Sequence, residues 1–269
     1  RKQKMNYITN SDTIIFNSEF NEELDIELIS GYKKLIFSNY ELNERLFEHY
    51  ANNNFDGQKI KINKFNKDVS KLHHGITHLI FGCTFNRDVS NLPQGLNFLK
   101  FGFWFDKDVS NLPHNLTYLI FGGSFNQDVS ELPPTLTYLT FGHQFNKNVS
   151  KLPPFLTHLT FNTLFNKDVS KLPLNLTHLT FGFKFNQDVS KLPPSLTHLT
   201  FDDEFNQVIS KLPTTITHLA FGYKFNQQYD IPSNIKYLKL NCNNSYIINS
   251  LPNSIVELEL GMSFVLQMD

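Results

Sequence analysis

The chain has 269 residues, 40% of them hydrophobic and 18% charged, with a formal net charge of −1. Such a balance gives no general attraction to nucleic acid or to an anionic membrane, and no apolar run approaches the roughly 18 residues needed to span a bilayer. Phe occurs 27 times while Ala stands only at Ala51 and Ala220, which disfavours a helical protein and favours pleated, half-buried surfaces.

The chain begins RKQKM, without an initiator Met, so an upstream segment is expected. In residues 1–64, Ile14, Phe16, Phe20 and Asn21 set out an IxF…FN spacing, and Leu35 with Phe37 marks a second strand. The register breaks at ELNERLFEHYANN (41–53), where Leu42, Leu46 and Tyr50 lie four apart, the spacing of a short amphipathic helix. These residues read as degenerate capping repeats.

From Phe65 the pattern becomes strict. Phe65, Phe85, Phe105, Phe125, Phe145, Phe165, Phe185, Phe205 and Phe225 recur every 20 residues, and eight repeats run without insertion over 65–224. One repeat reads FNKDVSKLPLNLTHLTFGFK (165–184). Leu179 and Phe181 flank Thr180, the alternation of a strand buried on one side, so THLTF predicts a strand with His178 and Thr180 facing outward. Stacked repeats then pair their strands in parallel at about 4.8 Å per rung. Pro173 and its equivalents lack an N–H and place LPxxL on an extended or turning return path. Gly82, Gly102, Gly122, Gly142, Gly182 and Gly222 follow the strand, with Asn162 and Asp202 in their column, and predict a left-handed turn. The Asn column that follows Phe, with Asp106 as its exception, is placed to bond turn backbone from rung to rung. A single repeat cannot hide its two Phe columns alone, so stability is expected to come from stacking. Residues 225–269 read as degenerate capping repeats: Ile231-Pro232 comes one residue early, Leu251-Pro252, Leu258 and Leu260 resume the pattern, and SFVLQMD ends it. The expected fold is one continuous leucine-rich-repeat-like right-handed solenoid, a parallel β-sheet with short extended or turn returns and few helices.

The motif FN…LPxxLTHLTFG resembles the FNIP repeat family, short relatives of the leucine-rich repeats. The resemblance covers at least 65–225, with weaker repeats on both sides. It implies a repeat of the kind found in social amoebae and in giant viruses that infect them. It also implies a non-enzymatic protein-binding scaffold, often behind an F-box, hence the substrate-recognition part of a ubiquitin ligase joined to cullin machinery through an N-terminal region. The alternative is a structural or assembly protein, self-associating or virion-associated.

Ser170 recurs in all eight repeats, Asp168 in six and His178 in five, whereas a catalytic triad needs one convergent constellation. No enzyme activity and no cofactor are expected. His158, His178, His198 and His218 hold one outward position in four successive rungs, with His78 in the first repeat. Rings stacked this way are read as pH-responsive, since protonation near pH 6 would gather like charge on one face. No Cys or carboxylate completes a tetrahedral set, so no metal site is assigned. The outward face is otherwise uneven. Phe98, Lys100, Phe103 and Trp104 fall in one repeat, Tyr118 and Ile120 in the next, Tyr138 beyond. Exposed aromatics beside a basic residue are typical interface anchors, so these seven form the candidate partner-binding patch. The Lys67/Arg87/Lys107 and Lys151/Lys171/Lys191 rows alternate with Asp and read as a solvated mixed-charge face, not a nucleic-acid site. Cys83 and Cys242 fall too far apart along a solenoid to bridge, and free thiols suit the cytoplasm.

Overall fold

The computed structural model describes residues 6–40, 46–52 and 60–261. It divides into two compact units, the first ending at Gln127 and the second beginning at Asp128. Each is a parallel β-solenoid.

In the first unit the strands β1 (Tyr7–Thr9), β2 (Thr13–Phe16), β3 (Lys34–Phe37), β4 (His78–Ile80), β5 (Phe98–Lys100) and β6 (Tyr118–Ile120) lie side by side in sequence order. Only β1 and β2 are antiparallel; Ile14, Leu35, Leu79, Leu99 and Leu119 pair in register. The second unit continues the same construction with β7 (Tyr138–Thr140), β8 (His158–Thr160), β9 (His178–Thr180), β10 (His198–Thr200), β11 (His218–Phe221), β12 (Tyr237–Leu240) and β13 (Glu257–Leu260), all parallel.

The 20-residue period sets the core. Phe165, Val169, Leu172, Leu176, Leu179 and Phe181 are all buried, as are their equivalents in the regular repeats. Within a rung the two Phe rings stack at 3.7 Å between centroids (Phe161 on Phe165), and each then meets its counterpart one rung away at 5.8 Å (Phe161–Phe181) or 6.1 Å (Phe165–Phe185). Burying each such ring contributes about 1.5–3 kcal/mol, and only a neighbouring rung supplies the cover. The strand is three residues long where THLTF suggested five, yet the ladder reaches further: Thr177 N–H donates to Thr157 C=O and Phe181 N–H to Thr200 C=O, both at 2.9 Å. On the return path Leu176 N–H closes a turn onto Pro173 C=O.

The Asn column works from rung to rung. Asn166 Oδ1 accepts from Asn186 N–H at 3.0 Å, Asn186 Oδ1 from Asn206 N–H at 2.9 Å, and Asp106 Oδ1 takes the same role toward Asn126 N–H at 2.9 Å. Asp168 accepts from both the N–H and the hydroxyl of Ser170, so the repeated Asp-x-Ser forms turns. The glycine column departs from expectation. None of Gly82, Gly102, Gly122, Gly182 or Gly222 has a left-handed φ; instead a Cβ on Gly102 would run into the carbonyl of Gly82, and one on Gly122 into the carbonyl of Gly102. Close approach of successive backbones, not turn handedness, is what glycine supplies there.

Among the described residues three short helices interrupt the strands. The break at 41–53 contains α2 (Leu46–Asn52), while Leu42 lies outside the described residues. Two more, α1 (Ile26–Ile29) and α3 (Ser245–Asn249), start at Asp25 and Asn244, whose side chains accept the first free N–H groups.

Candidate partner-binding face

Outward side chains form two rows along the first unit. Strand register places Thr13, Lys34, His78, Phe98 and Tyr118 in one row, and Ile15, Ile36, Ile80, Lys100 and Ile120 in the other. Stacking binds the first row together: His78 lies on Phe98 at 5.5 Å between centroids, and Phe98 on Tyr118 at 4.8 Å, their planes 15° apart. The second row is apolar except for Lys100, a half-buried lysine whose pKa burial pushes down. Phe98, Lys100, Tyr118 and Ile120 are thus brought onto one surface.

Phe103 and Trp104 sit in the turn after β5, exposed by 43% and 56% and packed edge to face at 4.8 Å. The Phe103 ring occupies the space that a Cβ on Gly123 would need. It therefore leans onto the next turn while Trp104 stands clear. Tyr138 belongs to the second unit, where it stacks on His158 at 5.5 Å.

Sequence reasoning missed the cleft at the head of this face. Leu46 of α2 packs into a cluster with Ile15 and Ile36, joined by Tyr50 and Ile80. The helix so forms a wall over the outward row. Between it and β5 opens a cleft of about 460 Å³ lined by Asp12, Lys34, Ile36, Tyr50, His78, Ile80 and Phe98 among others. Lys34 Nζ meets Asp12 Oδ2 at 3.0 Å, and Asp12 is held below the usual carboxylate range by the Thr13 hydroxyl and then by Lys34. Burial pushes the Tyr50 phenol up to about 12, and burial followed by the Lys34 charge pushes His78 down. The Lys34–Asp12 ion pair is satisfied, and Ile36, Ile80 and Phe98 give the lining its apolar part. The isoleucines of β2, β3 and β4 carried the signal, since an apolar outward row needs a cover.

In the second unit the histidine ladder forms as a continuous stack. Ring centroids are 4.2 Å apart for His158–His178, 4.0 Å for His178–His198 and 3.9 Å for His198–His218, and Tyr237 extends it at 4.1 Å. Each imidazole Nδ1 lies 2.8–2.9 Å from the hydroxyl of the preceding Thr (Thr157, Thr177, Thr197, Thr217). Those hydroxyls also reach the carbonyls of Thr137, Thr157, Thr177 and Thr197 at 3.1–3.4 Å. A carbonyl only accepts, so a hydroxyl proton given to it favours a ring that donates from Nδ1. In that tautomer Nε2 is the acceptor of each ring. Burial and then the neighbouring imidazoles push His178 down and His198 down to about 4, below the pH 6 expected from sequence. Among the described residues no group of three or more His, Cys, Asp or Glu is arranged to hold a metal ion. Both cysteines are free, Cys83 half-buried and Cys242 buried. No helix among the described residues is long and apolar enough to cross a membrane.

A parallel sheet of 20-residue rungs, with Leu and Phe inward and a stacked outward face, defines a leucine-rich-repeat-type solenoid. The family model described as FNIP Repeat matches residues 108–144, 185–224 and 225–263, so these segments carry FNIP repeats. Among solved structures it is similar to CroV588, described as a novel circular LRR protein, with 31% identity and a TM-score of 0.67 over 95% of this chain and 51% of that one. It is also similar in fold to the functional domain of InlJ from Listeria monocytogenes, at 18% identity and a TM-score of 0.59 over 93% of this chain and 53% of that one. The chain thus spans about half the length of these structures. No curated protein matches it.

Proposed function

We propose that this chain is a protein-capture scaffold whose first unit binds a partner on its outward face. The observation that carries the reading is the apolar outward surface, Ile80 and Ile120 beside stacked Phe98 and Tyr118, ending in the α2-walled cleft. Contiguous exposed apolar surface rimmed by polar groups is where partners dock. Resemblance to F-box-linked FNIP proteins supports the finer reading of a recognition part of a ubiquitin ligase. A cytoplasmic site of action goes with that reading. The test replaces Phe98 and Tyr118 together by Ala. These side chains lie outside the core, so the melting temperature should hold while co-purification of the partner is lost; a partner retained by the double variant rejects this face.

Self-association is a second reading, favoured by β13. Leu258 and Leu260 continue columns that are buried in the preceding rungs, yet they are 38% and 45% exposed. Analytical ultracentrifugation across concentration decides this: a monomer at all concentrations removes it.

A further inference from the structure

Lys100 is out of place in its row. Register sets it between Ile80 on one side and Ile120 on the other, with Ile36 and Ile15 beyond. A lysine can lay its apolar stem along such a surface, but its ammonium then loses water and needs an anion. The same row in the second unit shows the usual remedy: Lys239 is followed one strand later by Glu259, and the two meet at 2.6 Å. Lys34 in the neighbouring row is likewise paired, with Asp12. For Lys100 the corresponding position one strand later is Ile120, and among the described residues no carboxylate forms an ion pair with it. Burial alone acts on its ammonium.

We infer that Lys100 is the anchor for a carboxylate brought by the partner, and that the segment recognised is an Asp or Glu flanked by apolar side chains. This rests on the protein-capture reading and names the chemistry of what is captured. One ammonium neutralises one carboxylate. A phosphate dianion or a nucleic-acid backbone would place surplus negative charge among isoleucines, with Lys34 already engaged by Asp12. The apolar flanks of the segment cover Ile80 and Ile120, an aromatic or aliphatic side chain lies along Phe98 and Tyr118, and the cleft beside Tyr50 takes another. Pairing in such a partly desolvated place sets specificity, because a segment without the acid leaves the ammonium buried and uncompensated.

The experiment selects random 12-mer peptides displayed on phage against the full chain, against Lys100→Met and against Lys100→Glu, each first shown to melt like the parent. The parent should enrich peptides with an acidic residue between apolar ones, and Lys100→Met should bind those peptides about tenfold or more weakly. Lys100→Glu should enrich Lys or Arg at the same place. Peptides that bind Phe98→Ala/Tyr118→Ala as well as the parent, or no enriched peptides at all, overturn both this inference and the capture reading. Peptides that need Phe98 and Tyr118 but show no acidic preference, and bind Lys100→Met equally, overturn the carboxylate anchor alone. A concentration-dependent dimer of the parent that Lys100→Glu dissolves overturns it too, by giving the acid to a second copy of the chain.

Discussion

His178 and His198 lie face to face, their centroids 4.0 Å apart and their planes 13° from parallel, and each is held at Nδ1 by the threonine before it. The contact fixes more than spacing. The Thr177 and Thr197 hydroxyls each reach a carbonyl as well as a ring nitrogen, an arrangement that favours the Nδ1–H tautomer in both rings. Long-range ¹H–¹⁵N correlation spectra at pH 7.5 should show Nε2 without a proton in His158, His178, His198 and His218. Thr197→Val should release His198 toward the mixture of tautomers seen in free imidazoles; an Nε2–H ring in the parent would refute the assignment.

Stability should follow the same ladder. His198 has a folded pKa near 4 and His178 is also depressed, burial first and neighbouring imidazoles second. The unfolded chain holds histidines near 6.5. Across that interval the unfolded state binds protons that the stack refuses, so stability is fully present above pH 6.5 and is lost as pH falls toward 4. Replacing His178 and His198 by Tyr, the residue already at positions 138 and 237 of this column, should flatten the melting temperature between pH 6.5 and 4. An unchanged slope in that variant would show that other groups set it.

Glycine at 122 and glycine at 123 answer to different neighbours. A Cβ on Gly122 meets the backbone carbonyl of Gly102, which cannot step aside, whereas one on Gly123 meets the ring of Phe103. Gly122→Ala should cost about 1–3 kcal/mol by overpacking. Gly123→Ala should cost less than Gly122→Ala, because the Phe103 side chain can swing aside, and should displace Phe103 from the next turn. Trp104, the chain's single tryptophan, packs against Phe103 and so reports that displacement by its fluorescence. Equal melting points for the two variants would contradict the distinction.

The contrast between those glycines also marks where sequence reading stops. Identical spacing over eight repeats placed Leu179 and Phe181 inward and His178 outward, because a stacked rung repeats each contact with its neighbour. The glycine column was read as turn chemistry since residue type alone does not tell a positive φ from a close approach. The α2 wall was invisible for another reason: Leu46 meets Ile15 and Ile36 only after the chain folds back over the sheet. The short helices at Asp25 and Asn244 were missed because four or five residues show no period. Lys100 looked like one more basic residue beside aromatics; its isolation appears only when register sets Ile80 and Ile120 on either side.

The last prediction concerns how far a core defect spreads. Phe165 is fully buried, 3.7 Å from Phe161 in its own rung and 6.1 Å from Phe145 and Phe185 in the rungs on either side. Phe165→Ala should cost about 3–5 kcal/mol, the usual range for truncating a buried ring. Leu174→Ala, nine residues on in the same repeat and 69% exposed, should cost less than about 0.5 kcal/mol. Since a solenoid rung touches only its neighbours, amide exchange in the Phe165 variant should quicken most in β8, β9 and β10, and less in β12. Uniform acceleration over the second unit would mean that its rungs unfold as one block rather than as a chain of nearest-neighbour contacts.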